Sequence, residues 1–177
     1  NFISPRLVSI NNYNLAIAEE YRKLKTLVIQ MTREQGLPVS ILVASCISGE
    51  GKSVTALNLA MSLAQEIDQR VLLVDADFAK PSVLSTLGLP GGPGLMDALV
   101  DPSLDVADLV LGTDVPGLWV LPAGNATNSD SEYLNSARTA EVLARLTQGA
   151  PQRMVIFDSP PALAASPAAE LAQYVGQ

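Results

Sequence analysis

Apolar positions in this chain fall into short dense runs separated by longer amphipathic stretches. The runs at 40–45 (SILVAS), 71–75 (VLLVD), 118–121 (LWVL) and 153–158 (RMVIFD) are almost wholly apolar. That is the pattern of strands buried on both faces. From Leu15 to about Arg33, Leu24, Leu27, Val28 and Met31 recur at three- and four-residue spacing and predict an amphipathic helix, ended by Gly36 and Pro38. A second helix is expected from Ser53 to Ile67, carrying Leu57, Leu59, Ala60, Leu63 and Ala64. Short helical pieces are expected at 96–100 and 106–110, and a longer helix at 131–147 with Leu134, Val142, Leu143 and Leu146 on its apolar side. Residues 88–94 (GLPGGPG) read as loop. Strands alternating with helices predict an α/β fold, three layers around a mainly parallel sheet. Ligands of such sheets sit at the carboxyl ends of the strands.

Composition narrows this picture. The chain has 177 residues, 48% of them hydrophobic, enough for one domain with a sizeable core. The polar stretch 1–14 reads as an N-terminal arm and 15–177 as the domain. The chain starts at Asn1 and ends in an expected helix near 168–174, so it reads as a piece of a longer protein, incomplete at its C-terminal side. Its 18 acidic against 11 basic residues give a net charge of −7, which argues against nucleic acid as a main partner. The absence of histidine excludes serine–histidine and cysteine–histidine catalysis and histidine-ligated zinc. The single cysteine, Cys46, excludes an internal disulfide and suits a reducing cytoplasm. No apolar run approaches the roughly 20 residues of a membrane span.

Three elements carry chemistry. The loop Ser48, Gly49, Glu50, Gly51, Lys52, Ser53, running into Val54, joins a buried strand to a helix. Its glycines let backbone N–H groups turn inward on a phosphate, and the helix adds its positive end. Lys52 is placed to reach the β- and γ-phosphates of a triphosphate, and the Ser53 hydroxyl to ligate magnesium. The usual pattern has glycine where this chain has Cys46. The second element is the pair Asp75 and Asp77 after the strand 71–75, two carboxylates expected to approach one cation from the same side. The third is Asp158, closing the run 154–157 as a magnesium-holding acid. If the strands of Asp75 and Asp158 both lie beside the loop strand, the three acids converge on one ion.

Together, 49–53 (GEGKS), 72–77 (LLVDAD) followed by Lys80 and Pro81, and 155–161 (VIFDSPP) resemble the bacterial tyrosine kinases (BY-kinases). These are cytoplasmic autokinases of exopolysaccharide and capsule synthesis, built on the P-loop NTPase fold. The resemblance runs from about Asn11 to the end. Partition and division-site ATPases, the wider relatives, carry a lysine early in the loop where this chain has Ile47. The resemblance implies ATP and Mg2+ as cofactors and phosphoryl transfer to tyrosine. Lys52 would then hold phosphates, Ser53, Asp77 and Asp158 the metal, and Asp75 would orient or deprotonate the acceptor hydroxyl, with the roles of Asp75 and Asp77 exchangeable. It also implies a ring of subunits joined through a Glu-x-x-Arg-x-x-Arg helix, here Glu19, Arg22 and Lys25, with trans-phosphorylation of C-terminal tyrosines. A membrane chain-length-determinant protein would be the activator, holding the kinase at the inner face of the plasma membrane. Two other readings are a partition-type ATPase and a nucleotide-binding regulatory module without kinase activity.

Overall fold

The computed structural model describes residues 15–35, 40–46, 49–66, 68–147 and 153–160. The expected arm at 1–14 and helix at 168–174, together with Ile47 and Ser48, lie outside the described residues. The chain runs α1 (Leu15–Gln35), β1 (Ser40–Val43), α2 (Lys52–Ala64), β2 (Arg70–Asp75), α3 (Val83–Leu87) and α4 (Leu95–Val100). A 3-10 turn (Val106–Leu109), β3 (Leu111–Gly112), β4 (Leu118–Leu121), α5 (Asp130–Leu134), α6 (Ala137–Thr147) and β5 (Arg153–Asp158) follow.

The sheet order is β1-β5-β2-β4-β3, parallel throughout except that the two-residue β3 runs antiparallel to β4. Each central strand sends alternate residues to opposite layers, as a two-residue side-chain period requires. Leu72, Val74, Val155 and Phe157 join α4, α5 and α6 in one core, through Leu95, Met96, Leu134, Val142, Leu143 and Leu146. Val71, Leu73, Met154 and Ile156 join α2 in the other, through Leu57, Ala60, Met61 and Leu63. From Ala56 to Ala64 every residue of α2 is buried. A helix buried on every side needs cover on its outer side as well as against the sheet. Here α1 supplies it, laying Leu24, Val28 and Ile29 on the same core.

The four expected strands and the helices at 15–33 and 53–67 are present, with ends shifted by a few residues. Three features differ. The expected helix at 131–147 is two helices, because the Ser136 and Thr139 hydroxyls both donate to the Tyr133 carbonyl (2.6 and 2.9 Å) and displace the bond that would continue it. α3 and β3 are too short to show a period. The strand of Asp75 is not beside the loop strand: β5 lies between β1 and β2.

Candidate nucleotide site

The parallel strands place their carboxyl ends side by side, and in register Asp158 pairs with both Val43 and Asp75. The ladder is sewn shut at this edge. Ser159 donates its N–H and its hydroxyl to the Val43 carbonyl, and Ala76 N–H donates to the Asp158 carbonyl. The ends of β1, β5 and β2 are thus fixed relative to one another before any ligand arrives.

The loop after β1 turns on two glycines with positive φ, Gly49 (+88°) and Gly51 (+82°), a region where a side chain is strained. Gly51 caps α2, so Lys52 and Ser53 open that helix at its positive end. The Glu50 carboxylate accepts the Cys46 N–H at 3.0 Å and braces the loop across its base. A cavity of about 280 Å3 lies over this turn. Gly49, Lys52, Ser53 and Val54 line one side of it and Asp77, Lys80 and Ser82 the other. Lys80 and Ser82 belong to this wall although only the neighbouring Lys80–Pro81 pair hinted at it in the sequence.

Lys52 is buried, and its ammonium reaches across the cavity to the acids. It is paired with Asp158 Oδ1 and lies 3.5 Å from Asp77 Oδ2. Asp158 is fully buried, and its Oδ2 has no hydrogen-bond partner. Burial pushes Asp158 above the ordinary carboxylate value, while Lys52 and the Ser53 hydroxyl pull it back.

Asp75 does not share this cavity. Its Oδ1 accepts the Asp77 N–H (3.2 Å), and its Oδ2 accepts the Ser82 and Val83 N–H groups (3.0 Å each). The expected convergence of Asp75, Asp77 and Asp158 on one ion is therefore corrected. Among the described residues no cluster of three acidic, histidine or cysteine side chains is arranged to hold a metal. The backbone returns seven residues after Asp75 and takes its Oδ2, the Asp77 N–H holds its Oδ1, and the Asp77 side chain lines the phosphate-loop cavity instead. Asp75 instead borders a second cleft of about 500 Å3, between α3 with its following loop and residues 122–125. Burial raises the Asp75 carboxyl to about 6, against the pull of its three N–H donors and with a further push from Asp158.

The residues present fit magnesium bound with a nucleotide. Magnesium is commonly held by one or two carboxylates plus substrate phosphates and water. Asp77, Asp158 and the Ser53 hydroxyl are such a set, and the orphaned Asp158 Oδ2 is an acceptor awaiting a donor or a cation.

On α1, Glu19 and Arg22 form an exposed pair at 3.2 Å. Lys25 turns inward to Glu66 at the end of α2 and is only 17% exposed, so it is not presented with Glu19 and Arg22 to a neighbouring chain. The pair is partly solvated, so Lys25→Ala is expected to cost at most about 1 kcal/mol, read as a small loss in thermal midpoint.

Residues 41–157 match the model of the CobQ/CobB/MinD/ParA nucleotide-binding domain. YwqD, a tyrosine-protein kinase of Bacillus subtilis (strain 168), is 34% identical over 151 residues, covering 85% of this chain and 62% of YwqD. The tyrosine-protein kinase ptk of Acinetobacter johnsonii is 31% identical over 172 residues, 97% of this chain and 23% of ptk. The chain thus spans only part of the length of these relatives. The solved VpsO kinase domain superposes with a TM-score of 0.74 at 34% identity, over 90% of this chain and 78% of that one. With a parallel sheet, a phosphate loop and paired acids at its strand ends, the chain belongs to the CobQ/CobB/MinD/ParA nucleotide-binding family, in its bacterial tyrosine-kinase branch.

Proposed function

We propose that this chain is the catalytic part of an ATP-dependent protein-tyrosine autokinase acting in exopolysaccharide or capsule synthesis. The observation that carries the reading is the meeting of Lys52, Ser53, Asp77 and Asp158 over the phosphate loop, with a second cleft opening beside Asp75. Phosphoryl transfer asks for positioning and charge neutralisation more than for covalent chemistry. The inward amides of 49–53 and Lys52 hold the phosphates, and the α2 N-terminus adds its partial charge. Magnesium, when bound, neutralises charge developing on the transferred group; Ser53, Asp77 and Asp158 are the residues that would hold it. An acceptor tyrosine entering by the second cleft meets Asp75. A carboxyl with a value near 6 is ionised at neutral pH and suited to orient the hydroxyl and take its proton. Ser48 completes the loop by sequence.

The assembly follows from the resemblance: a homo-oligomeric ring through the α1 face of Glu19 and Arg22, phosphorylation between subunits, and a membrane protein as activator. No helix among the described residues is long and apolar enough to cross a membrane. We place the chain in the cytoplasm, brought to the membrane by that partner.

The test is to incubate the chain with γ-labelled ATP, Mg2+ and a tyrosine-bearing peptide polymer, then to blot for phosphotyrosine. Label on tyrosine in the wild type, lost in the Asp75→Asn, Asp77→Asn double variant, is expected. Phosphate release with no labelled tyrosine would favour the partition-type ATPase. Nucleotide binding without either would leave a regulatory module.

A further inference from the structure

The ammonium of Lys52 stands where the site's own chemistry would put a cation. It is paired with Asp158 Oδ1 and lies 3.5 Å from Asp77 Oδ2, and the three side chains are only 6%, 0% and 10% exposed. Asp75 does not compete for it, since both Asp75 oxygens are held by backbone N–H groups. The lysine thus pairs with both acids that face the metal position and offsets one of their two charges, and among the described residues Asp158 Oδ2 is the buried acceptor there without a hydrogen bond.

We infer that Lys52 gates the metal position: a divalent cation is excluded from the empty site and admitted only with a nucleotide whose phosphates draw Lys52 off Asp77 and Asp158. A free dication entering alone would face a like charge a few ångströms away in a poorly solvated cavity. A metal-free nucleotide entering alone would take Lys52 from its partners and leave two buried carboxylates unpaired beside its own phosphates. Only the pair satisfies every charge, with Lys52 on phosphate and the acids on the metal. Metal and nucleotide then favour each other's binding by the same factor, as linkage requires. The inference rests on the nucleotide-and-magnesium reading of the site but not on what accepts the phosphoryl group.

The probe is Mn2+, followed by the loss of its free electron-spin-resonance signal, with the 177-residue chain free of nucleotide. Wild type is expected to bind no Mn2+ at about 0.1 mM, a weak-site concentration for carboxylate ligands. Lys52→Met is expected to gain one site, at least about tenfold tighter than any in wild type. Lys52→Arg, which keeps the charge, should still exclude the ion. Adding Asp158→Asn to Lys52→Met should remove the gained site, and thermal melts verify that each variant is folded. With ADP present, wild type should take up Mn2+, and its ADP affinity should fall at least about tenfold in EDTA. Free Mn2+ bound by wild type as tightly as by Lys52→Met would overturn the gate while leaving the nucleotide site standing. Lys52→Met that folds and gains no Mn2+ would do the same. Wild type that binds no ADP even with Mn2+ would overturn the nucleotide reading and the gate with it.

Discussion

Replacing Gly94 by alanine is expected to be among the most damaging small substitutions in the chain. The added Cβ would stand 2.0 Å from the Pro122 carbonyl oxygen and 2.7 Å from the Gly124 nitrogen, both backbone atoms that no rotamer change can move. The cost is steric and not conformational, since φ at Gly94 is −161°, extended backbone open to any residue. The approach is close because the start of α4 is docked on the turn after β4. Leu95 and Met96 donate their N–H groups to the carbonyls of Pro122 and Ala123, satisfying helix-end donors that would otherwise be orphaned. Asp97 completes the joint, accepting from Gly94 N–H, Asn125 N–H and the Asn125 amide. Relieving the clash means parting α4 from this turn, with the loss of several of these bonds. A destabilisation of about 3 kcal/mol is expected, at the upper end for overpacking, with a drop of about 6–12 °C in thermal midpoint. An alanine variant melting within a degree or two of wild type would show that the joint is loose. Gly91 and Gly92, where an added Cβ meets nothing within 4 Å, serve as controls. Because residues 122–125 also wall the cleft beside Asp75, the same variant is expected to disturb that cleft before the phosphate loop.

The elements legible in the sequence are those whose burial leaves a mark on every residue. β2 and β5 show as unbroken apolar runs because they lie between two helical layers, and the phosphate loop shows because its glycines and its lysine sit between a strand and a helix. What stayed hidden depends on contacts between residues distant along the chain. Nothing near Lys52 indicates that it pairs with Asp158, 106 positions later. Nothing in the Asp75-Ala76-Asp77 spacing indicates that the two carboxylates part company. Their divergence is decided by the return of Ser82 and Val83 onto Asp75, which depends on α3, five residues with no detectable period. Lys25 misled for the same reason: helical spacing puts it in line with Glu19 and Arg22, but Glu66, in the turn just past the end of α2, draws it inward. Local pattern thus located the groups of the site, while the way they face was set by tertiary packing.

The inward turn of Asp75 has a consequence for stability that is opposite in sign to that of most surface acids. Its carboxyl is about 6 in the folded chain, against an ordinary 3.8, with burial as the main cause. Between those values the folded chain holds a proton that the unfolded chain has released, so stability falls as pH rises through this window and stays lower above it. The whole shift corresponds to about 3 kcal/mol, of which about 2 kcal/mol is lost between pH 4 and pH 7. Asp158, also raised by burial, adds in the same direction. Asp97 works the other way: burial raises it, but the bonds from Asn125 and Gly94 win and lower it, so its contribution is lost only as pH falls below the ordinary carboxylate value. The two windows do not overlap, and the range from about pH 4 to 6 isolates the buried acids. Urea melts in EDTA are therefore expected to show wild type less stable at pH 7 than at pH 4.5. Asp75→Asn, which carries no titrating group, should lose most of that slope and keep the part due to Asp158. Its absolute stability is expected to fall at pH 4.5, because an amide cannot accept all three N–H groups that fasten 77–83. Parallel pH profiles for the two proteins would mean that Asp75 titrates as an ordinary acid, and the base role proposed for it would lose its physical support.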